Sequence, residues 1–142
     1  GLGDVYKRQE VQSIAALDAL IGRKTGIPEM VNGQWELQHR YVNFTRSGIS
    51  ISLMYVNAAD AQQTIVGVIN LISNPQYMML SFEQSYEGTL QQFDGLNFYI
   101  TENINKPVAL WQGDDKLLLF SGRTSQEEVT SLLRTIIREI GE

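Results

Sequence analysis

The amino-acid sequence predicts an α+β domain, in which a mainly antiparallel sheet of about six or seven strands carries an N-terminal and a C-terminal helix packed on it. Apolar and polar residues alternate from Ile49 to Tyr55, which indicates a strand with one buried and one wet face. An apolar stripe at helical spacing runs from Val129 to Ile140 and indicates an amphipathic helix. A sheet covered by helices on its apolar face satisfies both patterns.

The size and composition of the chain fit one globular domain. It has 142 residues, of which 43% are hydrophobic and 19% charged. The absence of cysteine excludes disulfides and thiolate metal sites. We expect residues 10–142 to form a single α+β domain. The segment from Gly1 to Gln9 fits poorly with the sequence that follows it, and we interpret it as a cloning or assembly scar.

The charge balance argues against nucleic acid as a partner. The net charge is −5, and the few basic residues are dispersed, whereas nucleic-acid binding needs a concentrated positive field. Apolar runs stay shorter than the roughly 20 residues of a membrane-spanning helix, so we expect no membrane insertion by this segment itself.

The first helix is predicted from Glu10 to Ile21, with Gly22 as its C-terminal cap. Arg23 and Lys24 then lie favourably at the negative end of the helix dipole. Thr25 to Pro28 is predicted to be a loop, and Asn32-Gly33 a turn.

A two-residue period follows. It places Trp35, Leu37, His39 and Tyr41 on one face of a strand. The segment from Thr64 to Ser73 fits either a helical stripe or a strand, but its β-branched residues favour a strand that returns in a hairpin with the preceding one.

The second half of the chain predicts four more strands and one helix. The strands are marked by Met78 to Phe82, Leu96 to Ile100, Val108 to Leu110 and Leu118 to Phe120, with a turn at Gly113-Asp114-Asp115. Ser125 and Glu128 form a capping box at the start of the terminal helix, which Gly141 ends.

No residue pattern points to catalysis, a cofactor or a metal. His39 is the only histidine, and its phase with Trp35 and Tyr41 predicts a hydrogen-bonded side chain on the packed face. The acidic pairs Asp114-Asp115 and Glu127-Glu128 have structural explanations, in a turn and in a helix's first turn respectively. The alternative is a small hydrolase that uses His39 with a carboxylate.

One candidate contact patch lies on the far side of the C-terminal strands. If Phe98 and Phe120 face the helices, then the opposite face carries Tyr99, Trp111, Leu117 and Leu119. A second packed layer would explain such residues. An exposed patch that contacts a partner or ligand is the competing interpretation.

From about Gly33 to Ile140 the chain resembles an uncharacterised family of bacterial domains. The resemblance lies in Gly33 to Leu37, Leu53 to Tyr55, Phe93 to Tyr99, Trp111 before a hairpin, and Leu118 to Gly122 before a capped helix. It implies a domain outside the cytoplasm behind a single membrane anchor, which would belong to a segment missing from this chain. Some members of that family resemble anti-sigma-factor proteins.

The function expected from the resemblance is therefore sensing, binding or scaffolding without catalysis, for a protein or small ligand. A secreted structural or adhesion domain is a further alternative.

Overall fold

The computed structural model describes residues 8–72, 88–93, 95–103 and 106–141. The predicted strand from Met78 to Phe82 lies outside the described residues, as does most of the segment interpreted as a scar. In chain order the elements are β1 (Gln9–Glu10), α1 (Ile14–Ile21), β2 (Met30–Val31), β3 (Trp35–Thr45), β4 (Gly48–Asn57), β5 (Thr64–Ile72), β6 (Thr89–Phe93), β7 (Leu96–Asn103), β8 (Lys106–Gln112), β9 (Lys116–Gly122) and α2 (Gln126–Ile140).

All described strands belong to one antiparallel sheet. Its order is β1-β3-β4-β5-β9-β8-β7-β6. The strand β2 also pairs with β3, at Trp35 and Glu36, whereas β1 pairs with Tyr41 and Val42 of that strand. Two meanders, β3 to β5 and β6 to β9, are joined where β5 pairs with β9. The α+β class and the antiparallel sheet are thus confirmed. The expected count of six or seven strands is too low, since nine are described.

The three additional strands escape prediction for a physical reason. β1 and β2 have two residues each, which is too short for a two-residue period to show. β6, with the sequence TLQQF, has little apolar alternation to reveal it.

The sheet has two distinct faces, which the register defines. On the packed face, one row of directly paired residues crosses five strands: Val42, Ile51, Ile69, Leu118 and Trp111. On the outer face, the neighbouring row contains Tyr41, Ser52, Val68, Leu119, Leu110, Tyr99 and Leu90. The main core lies on the packed face.

A β-bulge in β3 shifts the predicted alternation of that strand. The register against β4 slips between Leu37 and His39. An inserted residue turns all later side chains to the other face. Trp35 and Leu37 therefore face the core, but beyond the bulge Arg40 and Val42 do so instead of His39 and Tyr41.

The first helix is shorter than predicted. Ser13 is its N-cap, with Oγ accepting a hydrogen bond from the Ala16 N–H at 3.0 Å. Glu10, predicted as helical, pairs instead with Tyr41 as part of β1. Gly22 ends the helix with φ +88°, as predicted for a C-terminal cap.

The terminal helix α2 agrees with its prediction in its bounds and in Ser125 as its N-cap. Ser125 Oγ accepts a hydrogen bond from the Glu128 N–H at 3.2 Å. The Glu128 carboxylate accepts another from Trp35 Nε1 at 3.3 Å, which ties α2 to the start of β3. Val129, Ile136 and Ile137 are fully buried in the main core.

Candidate functional site

His39 lies on the outer face, contrary to the prediction of a packed-face histidine. Its side chain is 44% exposed, stacks on Tyr41 and forms a 2.9 Å contact from Nδ1 to Glu10 Oε1. The bulge in β3 is the physical reason, because it reverses the phase after Leu37. A side chain this exposed does not form the wall of the deep pocket that a hydrolase built on His39 requires.

The predicted contact patch is divided between the two faces. Tyr99, Leu117 and Leu119 share the outer face, where they form a small cluster with Val108 and Leu110. Trp111 belongs to the main core on the packed face, so its assignment to the patch is wrong.

The turn between β8 and β9 explains this error. Gly113 N–H donates to the Lys116 carbonyl at 2.9 Å, leaving Asp114-Asp115 as a two-residue turn. This register pairs Leu110 with Leu119 and Trp111 with Leu118. Within the cluster Leu117 is only 2% exposed, so it offers little surface to a partner.

A network of hydrogen bonds surrounds Arg40, whose side chain is 11% exposed. Arg40 Nη2 donates to Glu29 Oε2 at 2.5 Å and to the Leu37 carbonyl at 3.0 Å. Glu29 Oε1 accepts from the Ile14 N–H at 2.9 Å, at the start of α1. Burial raises the pKa of Glu29, but the hydrogen bonds from Arg40 and Ile14 and the charge of Arg40 outweigh it and hold this pKa below its ordinary value.

Tyr55 borders this network and is equally structural. Its hydroxyl donates to the Pro28 carbonyl at 2.8 Å, and its side chain is fully buried. Burial raises the pKa of Tyr55, and the negative charge of Glu29 raises it further. The hydroxyl thus stays protonated as a donor, and these groups connect β3, β4 and α1 without forming a reactive centre.

A cavity of about 160 Å³ opens at one end of the packed face. It lies between the loop after α1, the C-terminal end of α2 and strands β4 and β5. Its floor is aliphatic and consists of Ile27, Ile51, Ile69, Leu71 and Ile140. Ile51 and Ile69 are directly paired across β4 and β5. The cavity is therefore an open end of the core.

The wall formed by the loop after α1 is held in place by several short contacts. Asp18 Oδ1 accepts hydrogen bonds from both Thr25 N–H and Thr25 Oγ, at 3.1 and 2.7 Å. Gly26 has φ +79°, and a Cβ there would lie 2.6 Å from the Glu139 carbonyl oxygen. Only glycine permits this backbone to pass so close to the last turn of α2.

The rim of the cavity is cationic. Arg23, Lys24 and Lys116 line it together with Thr25. Lys116 Nζ donates to the Gly141 carbonyl at 3.1 Å and lies 3.7 Å from Asp115 Oδ1. Arg23 and Lys24 are exposed, and no carboxylate of the described residues lies within ion-pair distance of either.

The lining residues combine positive charge with aliphatic surface. They comprise three cations, one hydroxyl and five aliphatic side chains, with neither an imidazole nor a carboxylate. An aliphatic floor takes apolar groups, while a positive rim favours a negative charge. In the described ranges, no group of three or more His, Cys, Asp or Glu side chains could hold a metal ion.

The sequence did not predict this site. The local pattern predicts Arg23 and Lys24 at the negative end of a helix dipole and Ile51 in the core, where Ile51 indeed lies. Their meeting with Lys116 depends on the pairing of β5 with β9, some fifty residues apart along the chain at Ile69 and Leu118. No local pattern in the sequence predicts that these residues lie close to Lys116.

The described residues form an α+β fold with a cavity at one end of the packed face. A scan against protein-family models and searches of curated proteins and of solved structures found no match. None of the helices in the described part of the chain is long and apolar enough to cross a membrane.

Proposed function

We propose that this chain is a non-catalytic binding module and that the cavity between α2 and strands β4 and β5 is its ligand site. The observation that carries the proposal is the lining of the cavity, in which aliphatic and cationic side chains meet without an imidazole or a carboxylate. The histidine, the candidate for catalysis, lies on the opposite face of the sheet, paired with Glu10.

The proposal includes both helices packed over the same face of the sheet, as the sequence predicts. Leu17 of α1 and five residues of α2 belong to the main core, which supports this arrangement: Val129, Leu132, Leu133, Ile136 and Ile137. The cavity is then the place where the two helices leave that face uncovered.

We also propose that the domain works outside the cytoplasm as the sensing, binding or scaffolding part of a membrane-anchored bacterial protein. The support is the resemblance carried by Gly33 to Leu37, Phe93 to Tyr99 and the capped terminal helix. An apolar segment of about 20 residues encoded upstream in the intact gene is the expected finding. A complete reading frame without such a segment or a secretion signal would contradict this part of the proposal.

A pair of matched substitutions on β5 tests the ligand site. Leu71→Phe places a larger side chain in the cavity, whereas Val68→Phe enlarges an aliphatic side chain on the outer face of the same strand. The probe is hexan-1-ol, whose binding is followed by saturation-transfer NMR. We expect binding to the wild type and to Val68→Phe, and a loss of about fivefold or more in Leu71→Phe, because its ring occupies the aliphatic floor.

Thermal unfolding of both variants gives the control for folding. Two results would refute the cavity as the ligand site: no binding of hexan-1-ol to the wild type, or equal binding by the two folded variants.

A further inference from the structure

We propose that the ligand of this cavity is a small anionic amphiphile, with an aliphatic part of about six carbons and a carboxylate head. This inference rests on the proposed function and names the chemical class that the same site takes. It follows from the size of the floor, the charge of the rim and the distribution of charge over the rest of the chain.

The floor limits the apolar part of the ligand. The cavity volume is about 160 Å³. An apolar cavity of roughly 150 Å³ accommodates one benzene molecule, which has six carbons. Among the floor residues, Leu71 and Ile140 are partly exposed, whereas Ile51 and Ile69 are 1% and 2% exposed. None of these side chains offers a hydrogen-bonding group. A short alkyl chain satisfies that surface, whereas a polar group placed there would lose its water contacts without replacement.

The rim selects the head group. Three of the eleven basic residues of the chain border this one cavity, while the chain as a whole carries a net charge of −5. The ammonium of Lys116 already donates a hydrogen bond to the Gly141 carbonyl and forms an ion pair with Asp115. Arg23 and Lys24 remain available to a ligand, and their guanidinium and ammonium groups donate charge-assisted hydrogen bonds to a carboxylate.

The two halves of the site fix the orientation of the ligand. The aliphatic chain lies on Leu71 and Ile140, and the carboxylate lies at the mouth beside Lys24. A neutral alcohol of equal length fills the floor but gains nothing from the cationic rim. An amine of equal length meets repulsion there. The order of affinity is therefore carboxylate, alcohol, amine.

The test compares hexanoate, hexan-1-ol and hexylamine on the intact chain by NMR titration. We expect hexanoate to bind about tenfold more tightly than hexan-1-ol, and this advantage to shrink as salt is raised because exposed charges are screened. Lys24→Gln removes a charge at the rim of the cavity. The control, Lys106→Gln, removes a charge at the first residue of β8, which does not line the cavity. Only Lys24→Gln should reduce the preference for hexanoate, by about threefold or more, while leaving the affinity for hexan-1-ol unchanged.

The outcomes separate this inference from the proposed function. Equal binding of hexanoate and hexan-1-ol, or equal effects of the two substitutions, would overturn the anionic ligand and leave the binding cavity standing. Failure of hexan-1-ol to bind would overturn the cavity as the ligand site and this inference with it. A loss of stability in Lys24→Gln without a change in the hexanoate preference would show that this charge serves only the helix dipole.

A second arm separates a soluble carboxylate from a membrane lipid. Vesicles of an anionic phosphatidylglycerol are offered in a sedimentation assay. Binding of soluble hexanoate, with or without vesicle binding, supports the inference. Sedimentation with the vesicles in the absence of any hexanoate binding would contradict it and point to a membrane surface.

Discussion

Arg40 and Glu29 show how a single residue insertion reshapes the polar chemistry of this domain. The bulge after Leu37 turns Arg40 toward the packed face, where its side chain is 11% exposed and needs a charge partner. Glu29 supplies that partner and also accepts the Ile14 N–H. The same insertion turns His39 out to Glu10. One insertion thus removes the histidine from the core and places a guanidinium there.

The stability contributed by Glu29 should depend on pH. The pKa of Glu29 lies below its ordinary value of 4.5 in the folded chain, so its ionised form stabilises the fold above that pH. This contribution is lost as the pH falls through the lowered pKa of the folded state. We expect Glu29→Gln to be less stable than the wild type at pH 7, by less than about 1 kcal/mol because the carboxylate is half exposed, and the difference to shrink below pH 4.5.

Urea unfolding of both proteins between pH 3 and 7 measures this difference. Glu36→Gln, which changes an exposed carboxylate on β3, is the matched control. A difference between Glu29→Gln and the wild type that stays constant over the whole range would contradict the role assigned to the ionised carboxylate.

At the residue scale, the sequence contains a signal for the bulge that a fixed two-residue period misses. Apolar residues occupy odd positions at Trp35 and Leu37 but even positions at Val42 and Phe44. Such a switch of phase within one strand predicts an inserted residue between the two parts. The partner of Arg40 could not have been predicted this way, because Glu29 lies in a loop whose path depends on the packing of α1.

At the element scale, the pairing of β5 with β9 joins the two meanders, and Gly67 makes it possible. Gly67 and Phe120 are directly opposite each other, and the Phe120 ring lies over the position that a Cβ on Gly67 would occupy. Glycine in a strand normally weakens it, but here the aromatic ring covers the exposed backbone.

Replacing Gly67 should damage this junction. We expect Gly67→Ala to lower the free energy of unfolding by about 1–3 kcal/mol, because the added methyl group overlaps the Phe120 ring. Chemical denaturation of the single variants and of Gly67→Ala/Phe120→Leu forms a double-mutant cycle. In the Phe120→Leu background the alanine should cost markedly less. If Gly67→Ala costs the same free energy of unfolding in both backgrounds, that cost does not arise from contact with the Phe120 ring.

Elements were predictable where a long apolar pattern determines them. β4, β5 and α2 each have enough residues to show their period, and the β-branched residues of β5 decided correctly for a strand. The short edge strands β1 and β2 form because β3 offers a long edge to pair with. Their sequences alone do not specify them.

At the scale of the whole molecule, the class of fold was predictable and the candidate site was not. The alternation in β4 and the apolar stripe of α2 require a sheet with one covered face. The site instead depends on where β9 joins β5, which brings Lys116 to the same end as Lys24. The register of this pairing is set between residues far apart in the chain. A shift of one residue would turn Leu118 and Lys116 to the other face of the sheet.

The central claim is that the chain binds a ligand at the open end of the packed face. Labelling the isoleucine δ1 methyl groups and titrating with hexanoate tests it most directly, because isoleucines occur both in the cavity and far from it. We predict shifts for Ile51, Ile69 and Ile140, which line the cavity, and none for Ile100 on β7. Unchanged methyl signals at saturating hexanoate, or shifts confined to Ile100, would contradict the claim.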